Sequence, residues 1–432
     1  LIFLIFIYYF INKIINISLN ILFLMITIAN GTVLCGADLV AKNTNVLIDD
    51  GKIIEISKDV YEGEIIDATN SIVCPSFLNA HTHIGDSIIK DIGDGKSIEE
   101  IVKPPNGLKH IALESSSNGD IVNAMKDSML EMLQTGTTHF IDYREGGING
   151  VKLLKKAAED IPINPIVLGR DDSFYGDGPD LSKVKIAIRK LLKICDGIAP
   201  SGFGEITEDV ATLIVTECEK QGKISSIHAG EYEYLQTDSL SKNGKTEIQM
   251  AIDSGFNQLI HITSPLKNDL DLIRRNKRNI VLCPRSNGAF SLGIPPLFEI
   301  LKNEIKPLIG TDNIMINSPN IFRELEYTLK IMRAFYKNYI SPKEILKMAT
   351  TNVYLNNSKY GSNNNSDNDL NKNFNDFSIY KKINKSIIDE KNNVELFISK
   401  KISKNPYLSL INRSETKDII CLMNKDKLIY YD

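Results

Sequence analysis

Between residues 25 and 75, apolar and polar positions alternate in short runs broken by turn signals, the period-two rhythm of half-buried strands. Within it, "NVLIDDGKIIEI" predicts a hairpin turning on Asp50–Gly51. From about residue 76 the rhythm changes. Eight short apolar runs follow: "SIVCPSFLNAHTH", "TTHFIDYRE", "NPIVLGRDD", "GIAPSGFGE", "ISSIHAGE", "QLIHIT", "IVLCPRSN" and "KPLIGTDN". Most are separated by stretches with helical periodicity, such as 120–134, 181–195 and 207–221. After residue 355 short β-type runs return, as "VELFIS", "IICLM" and "KLIYY".

Strand–helix alternation repeated eight times predicts an α/β protein with a (β/α)8 TIM barrel over 76–355, and about 280 residues suits that fold. Residues 25–75 and 377–432 are expected to combine into one small β-sandwich domain. The Asn-rich tract 356–376 reads as a low-complexity insertion. Residues 1–24 are strongly apolar but interrupted by Lys13 and three asparagines, with no basic start or small-residue cleavage site. They read as a non-native upstream extension or a hydrophobic segment, with Met25 opening the first strand.

Composition adds bounds. The 432-residue chain is 43% hydrophobic and 24% charged, ordinary for a globular protein. A net charge of −4 and the lack of a basic run argue against a nucleic-acid partner, and no obligate membrane association is expected. Cysteines at 35, 74, 195, 218, 283 and 421 form no CxxC pair, which fits reduced thiols and a cytoplasmic protein. A small-molecule substrate is the expected partner, and a homo-oligomer is compatible with the sequence.

The chemistry gathers at strand ends, where such barrels place their active sites. Of six histidines, His81, His83, His228 and His261 all sit there. His81 and His83 are two apart, so on a strand they share a face. Asp312, ending the eighth run, can complete a site with His81, His83 and His228, or serve as a helix N-cap. Three imidazoles and a carboxylate, with a position left for water, make the donor set of a catalytic metal. Alone, His228 would more often be a packed core residue than a ligand. Four coincidences at strands one, five, six and eight favour the metal.

These motifs ("HTH", "HAGE", the histidine of "LIHIT", "CPRSN" and "GTDN") resemble the amidohydrolase superfamily, in its mononuclear deaminase and chlorohydrolase branch, over about residues 26–355. "GTVL" and "IDDGKIIEI" resemble that family's N-terminal β segment. The resemblance implies one divalent metal, zinc with iron as the alternative, held by His81, His83, His228 and Asp312. It implies Glu231 as the acid that protonates a ring nitrogen, His261 as the residue orienting the nucleophile, and Asp312 as acceptor of the water's proton. The implied activity is deamination of an amino-substituted heterocycle (purine, pyrimidine, pterin or nucleoside-like) by metal-activated hydroxide, with release of ammonia. The alternatives are hydrolysis of a cyclic amide C–N bond, chlorohydrolase activity, and a non-catalytic binding homologue.

Some positions depart from the family pattern. The strand-four stretch "APSGFGE" lacks the histidine found there in several purine and nucleoside deaminases, and it carries Glu205 but no lysine to bridge two metals. Glu205 reads as a surface acid or as a bridge to a second metal. Arg285 is expected either to meet a substrate carboxylate or phosphate, or to make a surface salt bridge. Ser286 and Asn287 would shape the strand-seven loop, with Asn287 within reach of substrate. Asp86, Lys103 and His110 lie in the long loop after strand one, as substrate contacts or as solvated residues. Arg144 and Glu145 form an ion pair at the barrel mouth or touch substrate.

Overall fold

A computed structural model describes residues 17–21, 25–103, 106–176, 178–266, 268–353, 356, 387–425 and 427–431. Residues 1–16 and 22–24, and the Asn-rich tract beyond Asn356, lie outside the described residues.

Two sheets organise the chain. The first collects β1 (Ile17–Ile21), β2 (Ile26–Cys35), β3 (Val40–Asp49), β4 (Lys52–Ser57), β5 (Glu64–Asp67) and β6 (Ser71–Pro75). From the far end of the chain it takes β16 (Glu395–Lys400), β17 (Ile419–Asn424) and β18 (Lys427–Tyr431). The two halves join where β16 runs antiparallel to β6, with Phe397 opposite Cys74 and Ile398 opposite Val73. The β3–β4 hairpin turns on Asp50 and Gly51, both at positive φ (46° and 68°), the geometry a two-residue type I′ turn requires. Strand alternation divides the sheet's side chains. Ile72, Cys74, Phe397 and Leu422 pack on the barrel, whereas Val33, Val73, Leu396, Ile398 and Met423 fill a second core under the curled sheet.

The second sheet is the barrel. Its strands are β7 (Phe77–His83), β8 (Thr137–Arg144), β9 (Asn164–Gly169), β10 (Gly197–Ile198), β11 (Ile224–Ala229), β12 (Gln258–His261), β13 (Asn279–Leu282), β14 (Leu308–Ile309) and β15 (Asp312–Asn313). Each of β7 to β14 is parallel to the next. The eighth run of the sequence is split: β14 pairs with β13, and β15 pairs with β7, Asp312 opposite Thr82. The two-residue step between them closes the ring. There the Gly310 amide donates to the Leu282 carbonyl (3.0 Å) and the Thr311 amide to Asn79 Oδ1 (3.0 Å). A Cβ on Gly310 would stand 2.6 Å from the Cβ of His81, so only glycine allows this approach.

Inward-facing side chains, among them Leu78, Ala80, Ile141, Tyr143, Ile166, Leu168, Ile260 and Val281, fill the barrel. Helices cover its outside. Asn118–Gln134 starts where Ser117 accepts from the Asp120 amide, and Glu208–Glu219 where Thr207 accepts from the Val210 amide. Helix Leu181–Leu192 is three residues shorter than periodicity predicts; beyond it the Lys193 and Ile194 amides close tighter turns onto the Lys190 and Leu191 carbonyls. The loop after β7 is built rather than solvated. Its helices Ile98–Val102 and Leu108–Ser115 form, with Ile89, Met315 and Phe290, a small apolar cluster above the barrel. Among the described residues no helix is long and apolar enough to cross a membrane.

Candidate metal centre and active site

Four imidazoles converge at the C-terminal mouth of the barrel. The ring of His81 lies 5.0 Å from those of His83 and His228 and 5.8 Å from that of His261, centroid to centroid. His228 and His261 are 5.4 Å apart. Ligand atoms of His81, His83 and Asp312 lie within 4.8 Å of one another, and so do those of His81, His228 and His261. His81 is common to both sets. Asp312 Oδ1 stands 3.0 Å from His81 Nε2 and 3.5 Å from His83 Nε2.

Backbone geometry aims these groups. His261 and Asp312 both have left-handed backbones, φ 77° and 62°. Non-glycine residues held there cost on the order of 1–3 kcal/mol each and collect at functional sites. Gly230, at φ 62°, turns the chain after His228, and a Cβ there would meet the Ile248 side chain at 2.7 Å. The turn brings Glu231 back over the site, with Oε1 3.4 Å from His261 Nε2.

Burial sets the protonation states. It holds His83 down to about 3 and lowers His81 and His228, so these imidazoles are neutral and have lone pairs to give. Burial raises Glu231 above the usual carboxylate range, and the nearby Asp312 adds to this while His261 opposes it. The Glu231 side chain nevertheless remains 16% exposed.

A second ring of contacts fixes the first. Ser286 Oγ donates to Asp312 Oδ2 at 2.6 Å, leaving Oδ1 toward the imidazoles. Asn287 Oδ1 lies 3.1 Å from His261 Nδ1, and its amide nitrogen donates to Thr263 Oγ1. His261 therefore carries its proton on Nδ1 and presents a bare Nε2 to Glu231. Tyr143 lies edge-on beneath His81 at 4.1 Å, its hydroxyl held by Ser226 and Gln258.

A cation fits this centre. Both ring nitrogens of His81, Nδ1 of His228 and Oδ1 of Asp312 are buried without a hydrogen bond, a costly arrangement that coordination would resolve.

Four residues expected near substrate are engaged elsewhere. Arg144 makes the expected ion pair with Glu145, its Nη2 2.8 Å from Oε2, and not a substrate contact. Ile141 and Tyr143 face inward along β8, so Arg144 points out, beneath helix Asn118–Gln134, toward Met125 Sδ at 3.6 Å. Arg285 turns to helix Ile321–Tyr336, where its amide donates to Glu324 Oε1 (3.0 Å) and its guanidinium to the Ser318 carbonyl (3.2 Å). Its salt bridge is with a fully buried acid and is no surface pair. Asp86 is fully buried and accepts from the Met315 amide. Asn287 serves His261. Of the remaining loop residues, Lys103 is exposed, and His110 Nε2 sits 3.1 Å from the Val102 carbonyl. Glu205 is half-buried beside Ser201 and Arg170, and burial raises its carboxyl.

Sequence reasoning passed over Lys109 and Arg170. Arg170 directly follows β9, the same strand-end signal that marked the histidines. Lys109 carried no such signal, because it lies in a connection without periodicity.

A parallel barrel with a carboxylate and four imidazoles at its mouth defines a metal-dependent hydrolase, its centre suited to a divalent ion. Residues 72–354 match the amidohydrolase family, and the chain belongs to it. It is similar to a putative aminohydrolase from Methanothermobacter thermautotrophicus, 43% identical over 94% of this chain and 99% of that protein. A 5-methylthioadenosine/S-adenosylhomocysteine deaminase from Clostridium tetani is 28% identical over 74% of this chain and 78% of its own length. Among solved structures, the zinc complex of an atrazine chlorohydrolase from Arthrobacter aurescens superposes with a TM-score of 0.77 at 16% identity, covering 94% of this chain and 95% of the other.

Proposed function

We propose that this enzyme is a mononuclear aminohydrolase that removes an amino group, as ammonia, from the sp² carbon of a nitrogen heterocycle. The pairing of Glu231 with His261 beside the imidazole cluster carries the reading. His81, His83, His228 and Asp312 would hold the ion. Zinc is assigned because nitrogen donors with one carboxylate suit it, and because a similar structure carries zinc. When bound, such an ion supplies a Lewis acid that brings the pKa of water toward neutrality.

The chain's own groups manage the protons. Asp312 Oδ1, free of other hydrogen bonds, takes the proton that attacking water gives up. Glu231, whose carboxyl burial raises, delivers its proton to the ring nitrogen next to the carbon under attack. His261 Nε2 faces both the cavity acid and the imidazole cluster, and so orients the water. The proton on Asp312 then passes to the amine, the C–N bond breaks with its electron pair on nitrogen to release ammonia, and the remaining hydroxyl proton returns to Glu231 as the carbon becomes a carbonyl. Protonation of a ring nitrogen is what an acid in this place suits, and it favours deamination over chloride release.

The test is an ammonia-release screen of the zinc-loaded enzyme over purines, pyrimidines, pterins and their nucleosides, with Glu231→Gln as control. One substrate class turned over by the wild type and lost in the variant is the expected result. Equal ammonia release by the two proteins would remove Glu231 from the mechanism.

A further inference from the structure

His83 is gripped from behind. Its Nδ1 lies 3.1 Å from the Tyr143 carbonyl and 3.0 Å from Glu145 Oε1. A carbonyl can only accept, so Nδ1 carries the proton and Nε2 is left bare toward Asp312. Glu145 lies two residues after Tyr143, on the inward side of β8. Its Oε1 also receives the Lys109 ammonium at 2.6 Å and the guanidinium of Arg170, while Oε2 receives Arg144 at 2.8 Å. Lys109 is 2% exposed and reaches on to Asn313 Oδ1 at 3.1 Å, the residue after Asp312.

We infer that Glu145 is a positioning residue for the metal centre: clamped by Lys109 and Arg170, it fixes the tautomer and ring angle of His83. Lys109 ties that clamp to Asn313, the residue after Asp312, so one ammonium braces the surroundings of two ligands on the paired strands β7 and β15. A carboxylate behind a ligating imidazole raises its donor strength, and losing such a partner weakens metal binding or activity by about 10–100-fold. The inference rests on the reading of His83 as a ligand.

The experiment compares wild type, Glu145→Gln and Lys109→Met, each loaded with zinc or cobalt(II). Zinc release to a chelator, the cobalt absorption spectrum and thermal melting are recorded. Expected are zinc release faster by about 10–100-fold in Glu145→Gln, a smaller acceleration in Lys109→Met, and a changed cobalt spectrum in the first. If Glu145→Gln does not fold, Lys109→Met decides, and faster release supports the clamp. A folded variant with the wild-type release rate and spectrum overturns it. A wild type that takes up neither metal overturns the metal centre itself, a different result from an insensitive variant.

Discussion

Oε1 of Glu231 lies 3.4 Å from Nε2 of His261, and Asn287 holds the proton of His261 on the far nitrogen. In the neutral imidazole the near nitrogen is therefore an acceptor, and it faces the acid of Glu231. Replacing Glu231 with Gln should leave zinc content and melting temperature near wild type and lower kcat by about 10²–10⁴-fold, the usual worth of a placed general acid. Elemental analysis beside a kinetic assay checks both halves.

The pH dependence follows with a definite sign. Burial raises Glu231, and the proposed mechanism uses its neutral form. Turnover should be sustained on the acidic side of that raised value and decline as pH climbs through it. A kcat/KM profile whose basic limb disappears in Glu231→Gln would confirm the origin; an unchanged limb would assign it elsewhere.

Asn287→Ala removes the acceptor that fixes the His261 tautomer. The expected loss is about 10–100-fold in kcat, with zinc retained, by analogy with other groups that hold an active imidazole from behind. Loss of zinc in the same proportion would instead make His261 a ligand.

Arg285→Met leaves Glu324 buried beside an apolar side chain. Breaking a buried pair from one side costs on the order of 3–5 kcal/mol. Chemical denaturation should register that loss, while KM of the surviving enzyme stays unchanged. A raised KM with full stability would restore Arg285 to the substrate.

Glu247 gives a stability prediction. Its buried carboxyl, which accepts from the Gly230 amide, is pushed up to about 7 from 4.5. Between those values the folded chain holds a proton that the unfolded chain has lost, so this group makes stability fall as pH rises. The whole effect is on the order of 3 kcal/mol. Melting curves at pH 5 and pH 8 should differ more for wild type than for Glu247→Gln.

Much of the site was legible in the sequence because its residues end strands, and strand ends have an address in this fold. His81, His83, His228, His261 and Asp312 meet within one cavity as that rule implies. The rule says less about sides. Arg144 and Glu145 are neighbours, and the period of two sends one to the inside and the other to the outside; reading inward from Tyr143 would have chosen Glu145. Arg285 shows a different limit, since its partner Glu324 comes from a helix 39 residues away. The split of strand eight was hidden for a similar reason. Nothing local in "LIGTDN" announces that its two halves face different neighbours.

That split makes assembly and chemistry one event. Leu308–Ile309 pairs with the seventh strand and Asp312–Asn313 with the first, so the step that closes the ring is also the one that sets Asp312 against His81. An incompletely folded barrel lacks the carboxylate that completes the donor set. If the proposed zinc centre is correct, zinc titrated into a refolding chain should bind tightly only once the barrel has closed, and so would time that closing.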